Sequence, residues 1–167
     1  MRSKLSILFL SGILFTGASH AEESQISLTG TVVSGACNIS ATNQTFAFED
    51  LYTGKMREAG SASNWKSFSM LLTACPTGTQ NVTMKISGTA APEYPTYFAN
   101  TEDAKNVMLE LTDSTHSTTY SNGSTLTAAV DDSRNAFFSF AAREYSPQGG
   151  VESGAFESVV MMDFTYQ

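Results

Sequence analysis

The sequence is poor in the side chains that perform most nucleophilic and metal chemistry. Of its two histidines only His116 lies beyond residue 21, and there are only two cysteines. His116 stands in the polar stretch 113–118, which is more typical of a solvated loop than of a Ser-His-Asp triad. Two cysteines and one histidine cannot supply a four-ligand metal cage by themselves. We therefore expect neither a metal nor a cofactor.

Recognisable catalytic patterns are missing as well. There is no P-loop, no GxGxxG after a strand, no HExxH and no EF-hand loop. Adjacent acidic residues occur at 22–23, 102–103 and 131–132. Neighbours on a strand point to opposite faces, and such pairs in loops usually serve solvation rather than acid-base catalysis. The sequence thus predicts a protein that is not an enzyme.

Basic side chains are also scarce. There are nine lysines and arginines against sixteen acidic residues. Two of the nine, Arg2 and Lys4, lie in an expected leader, so the rest of the chain has seven basic and sixteen acidic side chains, a formal charge of −9. Nucleic acid and anionic lipid surfaces are therefore poor partners.

Long helical periodicity and internal repeats are absent too, which favours a single all-β domain.

Residues 1–21 have the pattern of a secretory signal peptide. A basic start precedes an apolar run over residues 5–15, and Ser19-His20-Ala21 offers a small-x-small cleavage site. The segment is too short and wrongly flanked for a membrane anchor, so we expect export without membrane insertion. The remaining 146 residues fit one domain with a sizeable core.

Alternating apolar runs separated by turn residues indicate a series of strands. The predicted strands cover residues 36–40 with 45–48, 65–75, 81–87, 105–112, 117–127 in part, 135–143 and 154–166. About seven short strands in one exported domain predict a β-sandwich. In an oxidising compartment Cys37 and Cys75 are expected to form a disulfide, which would tie the first strand to the second across the sandwich.

Both ends of the exported chain carry strand patterns. In residues 154–167 every second residue from Phe156 is almost always apolar, so one face belongs in a core while the outer edge of the strand needs a cover. Residues 25–32 alternate likewise, with Ile26, Leu28, Gly30 and Val32 on one face. We expect this stretch to fill an edge groove in a neighbouring copy or subunit.

Together these features resemble the pilin subunits of chaperone-usher fimbriae. In that family a glycine stands fourteen residues from the C-terminus and a tyrosine is penultimate, as Gly154 and Tyr166 are here. The family's donor strand, which alternates and has a glycine among its inward positions, is similar to residues 26–32. The minor subunits of the type 1 tip fibrillum, above all the G-type subunit, are similar in stretches 50–52, 59–65, 75–79, 87–90 and 130–133.

The resemblance implies an incomplete immunoglobulin-like sandwich that lacks its last strand. Residues 22–34 would form an N-terminal donor-strand extension and residues 35–167 the pilin domain. A periplasmic pilus chaperone would first lend the missing strand, and the extension of another subunit would replace it at an outer-membrane usher. The acceptor groove and chaperone-binding surface would comprise Gly154, Phe156, Val160, Met162, Phe164, Tyr166 and Gln167.

The expected function is that of a structural minor subunit, a tip adaptor that polymerises by donor-strand exchange with neighbouring fimbrial subunits and contributes to cell adhesion. Such a subunit is exported through the periplasm to the cell surface. A major rod pilin is one alternative. A sugar-binding adhesin, for which Trp65 and the six tyrosines could serve, is another. Adhesins of this family carry a whole extra lectin domain in place of the extension, and the chain has no room for one.

Overall fold

The computed structural model describes residues 35–40 and 44–167. The predicted signal peptide (1–21) and donor extension (22–34) lie outside the described residues, so both stay predictions. The described part consists mainly of strands, with one short 3-10 turn at Thr53–Lys55. The strands are β1 (Asn38–Ile39), β2 (Ser61–Ala62), β3 (Lys66–Thr73), β4 (Asn81–Gly88), β5 (Phe98–Ala99), β6 (Met108–Asp113), β7 (Thr119–Tyr120), β8 (Thr125–Ala129), β9 (Ala136–Ser146) and β10 (Val160–Tyr166).

The strands form two sheets in which every neighbouring pair is antiparallel. The larger sheet has the order β1-β3-β9-β6-β5, with β2 also pairing β9 and β7 pairing β6. The smaller sheet has the order β10-β4-β8. The prediction of an all-β sandwich is therefore confirmed.

The core lies between the two sheets and is built from alternating side chains. On β4, Val82, Met84 and Ile86 are fully buried, whereas Lys85 between them is exposed. On β9, Phe138 and Phe140 belong to the same buried cluster. Each large apolar side chain contributes about 1.5–3 kcal/mol when it is fully buried, so this alternation holds the two sheets together.

Most predicted strands are present with shifted bounds. The predictions at 65–75 and 81–87 correspond closely to β3 and β4, and the one at 105–112 begins three residues too early for β6. Residues 117–127 contain β7 and the start of β8, as the partial prediction allowed. Strand β9 runs three residues beyond the predicted 135–143, and the two-residue strands β2 and β5 were not predicted.

Two strand predictions were wrong. Residues 45–48 form no strand, because no strand lies beside them in the described part of the chain to pair with their backbone. The last strand begins at Val160 rather than at Gly154. The segment before it bonds instead to a loop, since the Ala104 N–H donates to the Ala155 carbonyl and the Thr101 N–H to the Glu157 carbonyl.

The disulfide between Cys37 and Cys75 is present, which confirms the predicted pairing. Its predicted course across the sandwich was wrong. Strand β1 pairs with β3 through Asn38↔Thr73, so the two cysteines lie just outside the ends of neighbouring strands in one sheet. The bond therefore fixes the short edge strand β1 onto β3.

Replacing both cysteines by alanine should lower the free energy of unfolding by about 4 kcal/mol, because the bond closes a loop between residues 38 positions apart. Urea unfolding at low protein concentration measures the difference. Reduction of the wild-type protein is the control and should cause a loss of similar size. A double variant as stable as the oxidised wild type would contradict the stabilising role of the bond.

Candidate functional site

The last strand lies at the edge of its sheet. Strand β10 pairs with β4 along its whole length, from Val160↔Gly88 to Tyr166↔Val82. Its other side has no strand partner among the described residues. One row of backbone N–H and C=O groups on β10 is therefore available to another strand.

A cleft of about 1360 Å³ opens beside β10 and enters the space between the two sheets. One wall is β10 with the segment that precedes it, and the opposite wall is formed by β1, β3 and residues 44–51. Strands β6 and β9 provide the floor. The apolar lining includes Ile39, Phe68, Met70, Leu109, Leu111, Val160, Met162 and Phe164.

The side chains of β10 show that the sandwich is open at this edge. Val160, Met162, Phe164 and Tyr166 alternate with exposed neighbours and pack against the core, but each is only half-buried. The outward Met161 is 59% exposed. Inward positions on the neighbouring β4 are fully buried. Strand β10 thus has the alternation of a core strand without the burial that a further strand would supply.

Three aromatic residues predicted for this surface, Phe156, Phe164 and Tyr166, lie on β10 or just before it. The Phe164 ring lies 6.0 Å from the Phe138 ring in the core. Phe156 precedes β10 and makes an edge contact with Phe48, with ring centroids 6.0 Å apart. Burial raises the pKa of the Tyr166 hydroxyl. Both phenylalanines line the cleft.

Gly154 owes its place to a close backbone approach. A Cβ atom there would lie 2.7 Å from the Asp103 carbonyl carbon and 2.8 Å from the Ala104 Cα. Real Cβ atoms almost never come so close to other atoms, and backbone cannot give way as a flexible side chain can. Only glycine lets the segment that leads into β10 lie against the 103–104 loop. Gly154 also lines the cleft.

The C-terminal residue is tied to the start of β4. The main-chain oxygen of Gln167 accepts hydrogen bonds from the backbone N–H groups of Gln80 (2.6 Å) and Asn81 (3.0 Å). The Gln167 N–H donates in turn to the Asn81 carbonyl at 2.9 Å. The main chain of Gln167 therefore has a defined position at the end of the exposed edge. The predicted donor residues Ile26, Leu28, Gly30 and Val32 lie outside the described residues.

The wall opposite β10 was not predicted, and neither was Glu144 on the floor. Glu144 is only 7% exposed, lines the cleft, and has one carboxylate oxygen, Oε2, with no hydrogen-bond partner in the described structure. Burial raises the pKa of its carboxyl group. The alternation from Phe138 through Phe140 would have placed Glu144 inward, but the predicted strand ended at Arg143.

His116 and Trp65, which were considered for catalysis and sugar stacking, lie outside the cleft. Trp65 is half-buried, and its ring stacks on the exposed His116 with centroids 4.2 Å apart. The Arg143 guanidinium lies 4.1 Å from the Trp65 ring and donates to Glu110 at 2.6 Å. None of these four residues lines the cleft. His116 sits in the turn between β6 and β7, where a solvated loop was expected.

In the described ranges no group of three or more His, Cys, Asp or Glu side chains is arranged to hold a metal ion. The same ranges contain no helix long and apolar enough to cross a membrane.

Comparison with known proteins identifies this architecture. Residues 26–167 match the family model described as fimbrial protein. The chain belongs to the fimbrial protein family. Protein FimG of Escherichia coli K12 is 36% identical over 154 residues, which cover 92% of this chain and 90% of FimG. The S-fimbrial adhesin protein SfaS of Escherichia coli strain 536 is 34% identical, covering 89% of this chain and 88% of SfaS.

Solved structures support the same fold. The P pilus rod subunit PapA matches with a TM-score of 0.67 at 20% identity, over 80% of this chain and 100% of the PapA chain. A chaperone-usher pilus structure matches with a TM-score of 0.66 at 18% identity, over 94% of this chain and 100% of that chain. The fold is thus the incomplete immunoglobulin-like sandwich of chaperone-usher pilins. This fimbrial protein is a structural subunit, and its partners are neighbouring fimbrial subunits.

Replacing Gly154 by alanine should destabilise this fimbrial subunit by about 1–3 kcal/mol, because the new methyl group must displace the backbone at Ala104. Gly54→Ala is the matched control, since nothing lies within 4 Å of its Cβ position. Urea unfolding at low protein concentration compares the two variants. Equal stability of Gly154→Ala and Gly54→Ala would show that the close approach does not constrain the segment.

Proposed function

We propose that this chain is a minor tip adaptor of a chaperone-usher fimbria, which accepts a strand in its cleft and donates its own extension to another subunit. The observation that carries the acceptor half is the open edge of β10 beside a cleft that reaches the core. FimG, at 36% identity over most of both chains, supports the assignment to minor subunits.

An added strand would pair with the free edge of β10 and cover the apolar lining of the cleft. Its backbone can bond to the free edge of β10, and its alternate side chains can enter the apolar lining. The half-buried Val160, Met162 and Phe164 would then become core residues like those on β4. Backbone bonding accepts many strands, so the side chains that enter the cleft decide which strand binds best.

The donor half rests on the sequence of residues 22–34. Its alternate positions Ile26, Leu28 and Val32 carry large apolar side chains. Burying these three residues fully contributes on the order of 5–9 kcal/mol. Gly30 between them marks a position where the acceptor backbone comes too close for a side chain. With residues 1–21 as a signal peptide and 35–167 as the pilin domain, one chain both accepts and donates a strand.

The cleft must be covered before assembly, because an apolar edge left open promotes aggregation. A periplasmic chaperone lends a strand first, and its basic residues hold the carboxylate of Gln167, which stands at the end of the free edge. Exchange for a subunit extension follows at an outer-membrane usher. The mature subunit is then located in the fimbrium at the cell surface and does no enzymatic work.

A second candidate function has one observation in its favour. SfaS, a relative at 34% identity, is described as an S-fimbrial adhesin. The Trp65–His116 stack offers an aromatic surface outside the cleft, where a sugar ring could lie. A tip subunit with this surface would both join its neighbours and touch a receptor. A glycan-binding assay of Trp65→Ala against wild-type fimbriae separates the adhesin from the adaptor, and the copy number per fibre separates either from a rod pilin.

Expressed in the periplasm without a chaperone, the mature chain should aggregate in a concentration-dependent manner, because the cleft beside Phe164 stays open. Sedimentation of periplasmic extracts with and without the co-expressed chaperone measures this. A chaperone-free monomer that stays soluble and unfolds cooperatively would contradict an incomplete fold, provided that the chain's own extension does not occupy its cleft.

Paired substitutions separate the donor from the acceptor. Leu28→Asp should leave chaperone binding intact but block incorporation into fibres, since an unpaired carboxylate in an apolar pocket costs several kcal/mol. Phe164→Asp should lose both the chaperone complex and the folded protein. Chaperone co-purification followed by immunodetection on surface fibres measures the two steps.

Each substitution has a control on the opposite face of its own strand. Met161→Asp changes a residue of β10 that is 59% exposed, and Thr29→Asp changes the polar face of the extension. Both controls should assemble. Normal incorporation of Leu28→Asp would refute the donor role, and a folded, chaperone-bound Phe164→Asp would refute the acceptor role.

A further inference from the structure

Two buried polar atoms lie in the lining of the apolar cleft. Glu144 lies on the floor, opposite Leu109 in the β6–β9 register. Leu109 pairs with Phe98, whose ring lies at Gly88 beside the Val159 carbonyl, so this part of the floor faces the start of β10. Ser158 lies on the β10 wall, four residues beyond Gly154. The Glu144 Oε2 and Ser158 Oγ atoms are both buried, and neither has a hydrogen-bond partner in the described part of the chain. Two unsatisfied polar atoms in one cleft are not explained by an apolar strand alone.

The salt bridge nearby does not satisfy Glu144. Arg143 is its neighbour on β9 but points to the other face of the sheet, where it binds Glu110. Lys66 also lines the cleft, but its ammonium group donates to the Ala47 carbonyl. The residue Glu144 is only 7% exposed, and it lines the cleft. Because Oε2 is itself buried, water in the open cleft reaches only the small exposed part of the residue.

Insertion of a strand covers this exposed part of Glu144 as well. A carboxylate that becomes fully buried without a hydrogen bond incurs a large desolvation cost, and the strand would bind correspondingly more weakly. A strand with a hydrogen-bond donor at this position supplies the missing bond instead. A strand with the donor therefore binds more tightly than a strand without it. This difference in affinity lets the cleft distinguish between partners of similar apolar content.

We propose that Glu144 and Ser158 form a polar subsite that selects, among the extended strands of neighbouring fimbrial subunits, those with a hydrogen-bond-donating side chain at the inward position next to their apolar residues. This inference rests on the proposed function and adds to it a residue that sets specificity. The occupant is a subunit strand, and the group recognised at Glu144 is an uncharged donor such as a hydroxyl.

The extension of this chain has the required chemistry. On the face that carries Ile26 to Val32, the next residue in one direction is Ser24 and in the other is Ser34. A serine hydroxyl therefore follows the apolar set whichever way the strand runs beside β10. A hydroxyl can donate to the Glu144 carboxylate and accept from or donate to Ser158.

Synthetic peptides test the subsite on the mature chain, kept at a protein concentration below that at which it aggregates. The probes are a peptide of residues 22–34 and its Ser24→Ala, Ser34→Ala double variant. Wild-type protein should bind the serine peptide about tenfold more tightly than the alanine peptide, because a hydrogen bond to a charged group is lost. Glu144→Leu protein should bind the two peptides equally, and Glu144→Gln should keep part of the preference because its amide still accepts a hydrogen bond.

The outcomes separate this inference from the proposed function. Equal affinity of the wild-type protein for both peptides would overturn the subsite while leaving the cleft as a strand acceptor. A tenfold preference that persists in Glu144→Leu would overturn the role of Glu144. Failure of both peptides to bind the wild-type protein would overturn the subsite as a receptor for strands of this chemistry, whereas the acceptor function itself is tested separately by Phe164→Asp. Binding of the alanine peptide by Glu144→Leu with at least wild-type affinity shows that this variant is folded.

Discussion

The unpaired edge of β10 is the constraint on which the rest of this structure depends. A sheet that ends in a half-apolar strand leaves backbone groups without partners and an opening to the core. In this subunit both features lie at one place, since β10 borders the cleft and its inward side chains are half-buried. A second strand along this edge would complete the sandwich, which makes assembly with another subunit the last step of folding.

Several features elsewhere in the domain fix the positions of β10 and of the opposite wall of the cleft. The disulfide holds β1 against β3 on the far side of the cleft. Gly154 lets the approach to β10 lie flat on the 103–104 loop, and the backbone bonds of Gln167 fix the other end of the strand. The cleft is thus shaped before a partner arrives, which lowers the cost of ordering it on binding.

Local patterns predicted the strands well, and they predicted the cleft only in part. The period-two alternation of β10 was visible because every inward residue from Val160 to Tyr166 is apolar. The start of that strand was misplaced because the bonds of Ala155 and Glu157 to a distant loop leave no local signal. The opposite wall could not be predicted, since alternation shows that Phe68 and Met70 face a core but not which strand lies across from them.

The role proposed for Glu144 could not be predicted from local sequence patterns either. A single glutamate after a run of apolar inward positions resembles the polar end of a strand, and the predicted strand stopped just before it. Only the placement of β9 in the structure shows that Glu144 is buried and lines the cleft. The sequence therefore predicted that a strand is accepted, whereas the structure was needed to propose which side chain is recognised.

Hydrogen-deuterium exchange tests the central claim most directly. The amides of β10 would be followed in the mature chain at a protein concentration below that at which it aggregates, alone and with a saturating peptide of residues 22–34. The account predicts that exchange slows along β10, whose free edge becomes paired, while the amides of β8 at the opposite edge of the same sheet are unchanged. Unchanged exchange along β10 in the presence of bound peptide would contradict strand addition at this edge.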